Sequence, residues 1–171
     1  MKHGTLLCFA AIVIGLCPTT RAALQVHLAM DGDLTDAAGG DHDGILVDGH
    51  QGFHGYAGGV LGQALDLGHV RDDPGTSHND YVRIPYSLPG TGTIALWYFV
   101  EDFYDYQTIF DNAITANDWE MWIYGSGQLA VRPAPDYGRL LYSIPEPGVW
   151  VHIAWTWRRE GEALDTRLYV D

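Results

Sequence analysis

Lysine is nearly absent from this chain and cysteine is scarce: Lys2, Cys8 and Cys17 are the whole inventory, all within the first 22 residues. The missing cations, set against 22 acidic residues and a formal charge of −13, exclude nucleic acid as a partner, because such a surface repels phosphate. The missing cysteines mean that disulfides do not hold residues 23–171 together, so a packed core or a bound metal must. Helical periodicity is also lacking: almost no stretch places apolar residues three or four apart. Nor is any apolar run long enough to cross a membrane. The run from Leu6 to Leu16 falls well short of the ~20 residues that a spanning helix needs.

That short run has a different reading. Lys2 precedes it, Pro18 and a polar stretch follow it, and Thr20 and Ala22 suit cleavage between small residues. Residues 1–22 are therefore expected to be a secretory signal peptide, cut after Ala22, which sends the protein out of the cell or to its surface. Cleavage removes both cysteines, Lys2 and Arg21, leaving seven arginines against all 22 acids. Seventeen of those acids are aspartate, the shorter carboxylate, which favours turns and calcium shells over helix interiors.

What fills residues 23–171 is short apolar or alternating runs divided by glycine, proline, aspartate and asparagine. Strands are expected near 24–30, 44–47, 64–67, 81–84, 93–101, 108–110, 119–124, 128–132, 140–143, 149–158 and 166–170. The stretch "YGSGQ" between two of them reads as a hairpin, and "DDPG", "SLPGTG", "PAPDYG" and "PEPG" read as turns. Many short antiparallel strands in a chain of this size mean a single all-β sandwich or jelly roll. In "VWVHIAWTW" the parity of Val149, Val151, Ile153, Trp155 and Trp157 marks the core face. In "WEMWIY" Trp122 and Tyr124 share the less apolar face, where aromatic rings could stack on sugars.

The order of motifs resembles the LamG-like, concanavalin A-like jelly-roll module. The quoted stretches are "VHLAMDGDLTDAAGGDHDGILV", "GQALDL", "DYVRIP", "GTIALWYFVED", "YQTIFDN", "WEMWIYGSGQLAVR", "GVWVHIAWTW" and "RLYVD", which together cover residues 24–171. The resemblance implies an antiparallel β-sandwich. In that family the last hairpin continues through glycine into further strands, whereas this sequence ends at Asp171. The resemblance therefore implies an incomplete sandwich whose last strands are missing, part of a longer multidomain chain. An open edge would follow, which is an aggregation liability.

The aspartate-rich stretch, with Asp31, Asp33 and Asp36 in "DGDLTD" and Asp41 and Asp43 in "GDHDG", has two readings. An EF-hand is excluded, since Asp36 stands at its sixth position and His42 at its twelfth. A structural Ca2+ on Asp31, Asp33 and Asp36 is one expectation, supported by the calcium that LamG-like modules often hold. The other is that each aspartate closes a turn. His42, His50 and His54 form a weaker set for a transition metal.

Catalysis finds little support. Glycoside hydrolysis needs two carboxylates facing each other across a cleft. Glu101 and Asp102 are adjacent and face opposite ways, and Asp118 with Glu120 is a weak pair; no Ser-His-Asp order, phosphate loop or zinc spacing occurs. The expected function is a non-catalytic extracellular module that binds carbohydrate or another surface ligand, a glycan or an extracellular protein. Trp97, Asp111, Asn112, Trp122, Tyr124 and Arg132 are the expected contacts. A structural or adhesive domain without a small-ligand site, and a hydrolase remnant, are the alternatives.

Overall fold

The computed structural model describes residues 23–47, 54–67, 80–103, 106–112, 119–133 and 137–171. The expected signal peptide, His50 and Asp118 lie outside the described residues. Among those described there is no helix, and the strands are all antiparallel: β1 (Ile45–Val47), β2 (Gly55–Gly58), β3 (Gln63–Asp66), β4 (Tyr81–Arg83), β5 (Thr91–Phe99), β6 (Gln107–Asp111), β7 (Glu120–Ile123), β8 (Gln128–Arg132), β9 (Leu140–Ser143), β10 (Trp150–Glu160) and β11 (Ala163–Val170). Two sheets carry the fold. One runs β6-β7-β8-β9 and the other β11-β10-β5, with the small pairs β1-β4 and β2-β3 beside them.

Alternation along β10 explains how the two large sheets meet. Val151, Ile153, Trp155 and Trp157 are buried, while His152, Ala154 and Thr156 between them stay partly open. The buried row packs against Met121 and Ile123 of β7 and Leu129 and Val131 of β8, with Ile94 and Leu96 of β5 and Leu168 and Val170 of β11 closing the sides. Trp155 anchors the interior. It is fully buried, and its Nε1–H donates to Thr166 Oγ1 at 2.9 Å, so the one polar group it carries inside is satisfied. Trp119, Trp155 and Trp157 stand in one group with centroids 5.2 to 5.6 Å apart. Losing so large a side chain costs about 3–5 kcal/mol, so this row alone is a large share of a domain's net stability.

Local chemistry sets the turns. In the β7–β8 hairpin, Tyr124 N–H donates to Gln128 C=O and Gly127 N–H to Tyr124 C=O. Gly127 has φ +77°, and a Cβ there would lie 2.6 Å from the Phe103 ring, so the turn needs glycine for both reasons.

Three expectations are corrected. The strand expected near 24–30 is a single bridge, Leu28 with Asp36, because Asp36 takes the neighbouring His27 N–H on its own carboxylate. Val149, expected on the core face, is 36% exposed, since Gly148 turns the chain at φ +79° and β10 begins one residue later. Strand β2 was not expected. Its "GYAG" has too little apolar content to signal a strand, and pairing with β3 supplies the order instead.

Candidate functional site

The outward face of the β6–β9 sheet gathers side chains that the sequence scatters over some thirty positions. At its centre is Trp122, flanked across the ladder by the small residues Thr108 of β6 and Ala130 of β8. Tyr106, just before β6, takes φ +47° and lays its ring over the indole, with centroids 5.6 Å apart and planes 19° apart. Tyr124 stands edge-on to both rings, 5.8 Å from Trp122 and 6.0 Å from Tyr106.

Two guanidiniums complete the group. Arg139 Cζ sits 5.3 Å from the Trp122 centroid and Arg132 Cζ 5.9 Å, both within cation–π range. They differ in charge environment. Arg132 faces its cross-strand partner Glu120 at 2.7 Å, whereas Arg139 donates Nη1–H to the neutral Tyr124 Oη at 2.9 Å. Tyr106 is held above the usual phenol range, by burial first and then by Glu120 and Tyr124, so at neutral pH it is a protonated donor.

Trp122, at the centre, is 1% exposed, and among the described residues its Nε1–H has no hydrogen-bond acceptor. A buried donor left in that state costs about 1–3 kcal/mol, so it is a place where an incoming oxygen gains more than it would elsewhere.

The sequence-derived contacts therefore divide. Trp122, Tyr124 and Arg132 converge; Tyr106, Arg139 and Glu120 join them and were missed. Trp122 itself is corrected: it was expected to be open for stacking, but Tyr106 and the arginines cover it, and the accessible ring is Tyr106, 55% exposed. Asp111 ends β6 in register with Glu120, at the margin of the group. Asn112 gives its N–H to Trp119 C=O and lines a separate cavity of about 190 Å³ with Leu88, Pro89, Gly90, Trp119 and Arg159. Trp97 lies on the other sheet, outward from β5, against His152 at 5.0 Å.

The aspartates are engaged with backbone. Asp31 Oδ1 accepts from Gln63 N–H at 2.8 Å, pinning the start of β3, and Asp33 Oδ1 accepts from Thr35 N–H at 3.1 Å. Asp36 is the hub: Oδ1 accepts from His27 and Ala38 and Oδ2 from Gly40, while its own N–H donates to Asp43 Oδ1. The His27 N–H, foremost among these donors, holds the Asp36 carboxyl below the usual carboxylate range. Among the described residues no group of three acids or histidines is placed to hold a metal ion. Within the trio, Asp31 and Asp33 each give one oxygen, and Asp36 both, to N–H groups of separate turns. His42 packs edge-on against Tyr86 at 5.1 Å.

An antiparallel sandwich whose core is shared by two sheets, with an aromatic and cationic group on one outer face, defines a class of β-sandwich module. The Laminin_G_3 family model, described as the concanavalin A-like lectin/glucanases superfamily, matches residues 75–171. That is more than half of the chain, and the chain belongs to this family. No curated protein and no solved structure matches it.

Proposed function

We propose that the protein is a non-catalytic binding module of the secreted or cell-surface kind, and that carbohydrate is held on the outer face of the β6–β9 sheet. The observation that carries this reading is the unsatisfied Trp122 Nε1–H beneath a stacked, open Tyr106 ring and between two guanidiniums. A sugar ring presents C–H groups that pack on an aromatic face and hydroxyls that accept from N–H donors. Tyr106 offers the face and Arg139 the donors; a small displacement of Tyr106 brings the indole N–H within reach. Family membership agrees with a binding role.

The test is calorimetric titration of neutral and uronic-acid oligosaccharides into the wild-type chain and into Tyr106→Ala, Arg139→Ala and Trp97→Ala. Tyr106→Ala and Arg139→Ala are each expected to weaken binding about tenfold, roughly 1.4 kcal/mol, with Trp97→Ala unchanged. If only Trp97→Ala matters, the ligand sits on the other sheet. If no oligosaccharide binds the wild type, the reading as a structural or adhesive domain replaces this one.

A further inference from the structure

The inward row of β10 does not end on an apolar residue. Val151, Ile153, Trp155 and Trp157 are buried, and the next position of the same parity is Arg159. With Leu88, Pro89, Gly90, Asn112 and Trp119 it lines the cavity of about 190 Å³. Gly90 immediately precedes β5, Asn112 follows β6 and Trp119 precedes β7, so the cavity lies where the interior between the two large sheets runs out.

Its backbone walls are fastened. Pro89 C=O accepts from Trp157 Nε1–H at 2.8 Å, Gly90 C=O accepts from Arg159 N–H at 2.9 Å, and Asn112 N–H donates to Trp119 C=O at 3.0 Å. Trp119 is held by Trp155 and Trp157, each 5.2 Å away between centroids. Beside Gly90 the space is open: a Cβ there would meet no atom within 4 Å. The polar side chains are not engaged in the same way. Among the described residues neither the Arg159 guanidinium nor the Asn112 carboxamide has a hydrogen-bonding or ionic partner, and Glu160, next along the chain, is paired with Arg158. In a chain of 22 acidic and nine basic residues, a cation without an acid at this position stands out.

The chemistry of the lining narrows the occupant. A guanidinium is a planar fork of donors that matches a carboxylate bidentately. Trp119, Leu88 and Pro89 form an apolar wall for a flat body, and the carboxamide both donates and accepts, which suits a hydroxyl. The volume is below the roughly 300–1,000 Å³ of drug-sized pockets, which limits the occupant to about one ring. A peptide main chain matches less well, because the Pro89 and Gly90 carbonyls and the Asn112 N–H are already bonded and proline has no N–H.

We propose that this cavity binds one small ring-bearing monocarboxylate: Arg159 takes the carboxylate, Trp119 the ring and Asn112 a ring hydroxyl. Uronic acids and hydroxylated aromatic acids share that chemistry. The site lies between the sheets and is separate from the outer face on which Trp122 and Tyr106 stand.

NMR of the 15N-labelled full chain tests this, with glucuronate and 4-hydroxybenzoate as ligands and glucose and phenol as their neutral counterparts. At least one acid should saturably move the Gly90 amide, Asn112 carboxamide and Trp119 indole signals, and neither neutral compound should; the tighter acid identifies the source. Arg159→Gln should weaken binding at least about tenfold, whereas Arg158→Gln, on the opposite parity, should leave it unchanged. The remainder of each spectrum reports whether the variant is folded. The proposal is overturned if no acid moves these signals, if the Trp122 indole moves in their place, if the neutral compounds bind as well as the acids, or if folded Arg159→Gln binds like wild type.

Discussion

Asp36 shows what a carboxylate does in this protein when backbone donors reach it before anything else. Its two oxygens collect N–H groups from His27, Ala38 and Gly40, so a segment with little regular secondary structure is fastened to one side chain. Because those bonds favour the ionised form, the folded-state pKa lies below the unfolded value near 3.9. The contribution to stability is then full above that value and is lost as pH falls through the depressed pKa. Asp36→Asn should therefore lower stability near neutrality and flatten the decline of stability below about pH 4 relative to wild type. Denaturant midpoints measured from pH 7 down to pH 3 check both signs; a parallel decline in the two proteins would remove Asp36 from the account. The sequence left this residue open between a metal ligand and a turn closer, because spacing along a chain says nothing about which donors the backbone will bring.

Among the elements, β8 and β9 occupy the residues that alternation and turn signals had marked, and β5, β7 and β10 differ only at their ends. Period-two patterning explains this for β5 and β10, where exposure alternates, whereas β7 and β8 are short apolar runs buried on both faces and bounded by turn signals. The N-terminal part was less legible, because its order comes from aspartate bonds and glycine approaches that leave no periodic trace. The outer-face group was half legible for a related reason. Trp122, Tyr124 and Arg132 lie on or beside two strands whose parity could be read, but Tyr106 precedes β6 at positive φ and Arg139 precedes β9, outside any alternation. Hairpin β7–β8 permits an element-level test. Gly127→Ala adds a Cβ both at φ +77° and 2.6 Å from the Phe103 ring, and should destabilise by about 1–3 kcal/mol. The urea midpoint should fall with the slope unchanged, and a midpoint within error of wild type would show that Phe103 moves aside freely.

At the scale of the molecule, the interior is one joint between two sheets, and tryptophan is the material at that joint. Trp155 and Trp157 come from β10, while Trp119 immediately precedes β7 of the opposite sheet. The three rings meet only when the sheets are together, at centroid separations of 5.2 to 5.6 Å and tilts of 35° to 59°. Indoles that close and that skewed share their excited states. The folded protein should show a paired positive and negative circular-dichroism band in the indole absorption region of the far ultraviolet. Trp119→Phe should diminish it by removing the only member contributed from across the interface. A variant that keeps its fold and the full band would assign the coupling to Trp155 and Trp157 alone. The closing of the sandwich thus carries its own optical signal, one that needs no added label and vanishes when the two sheets part.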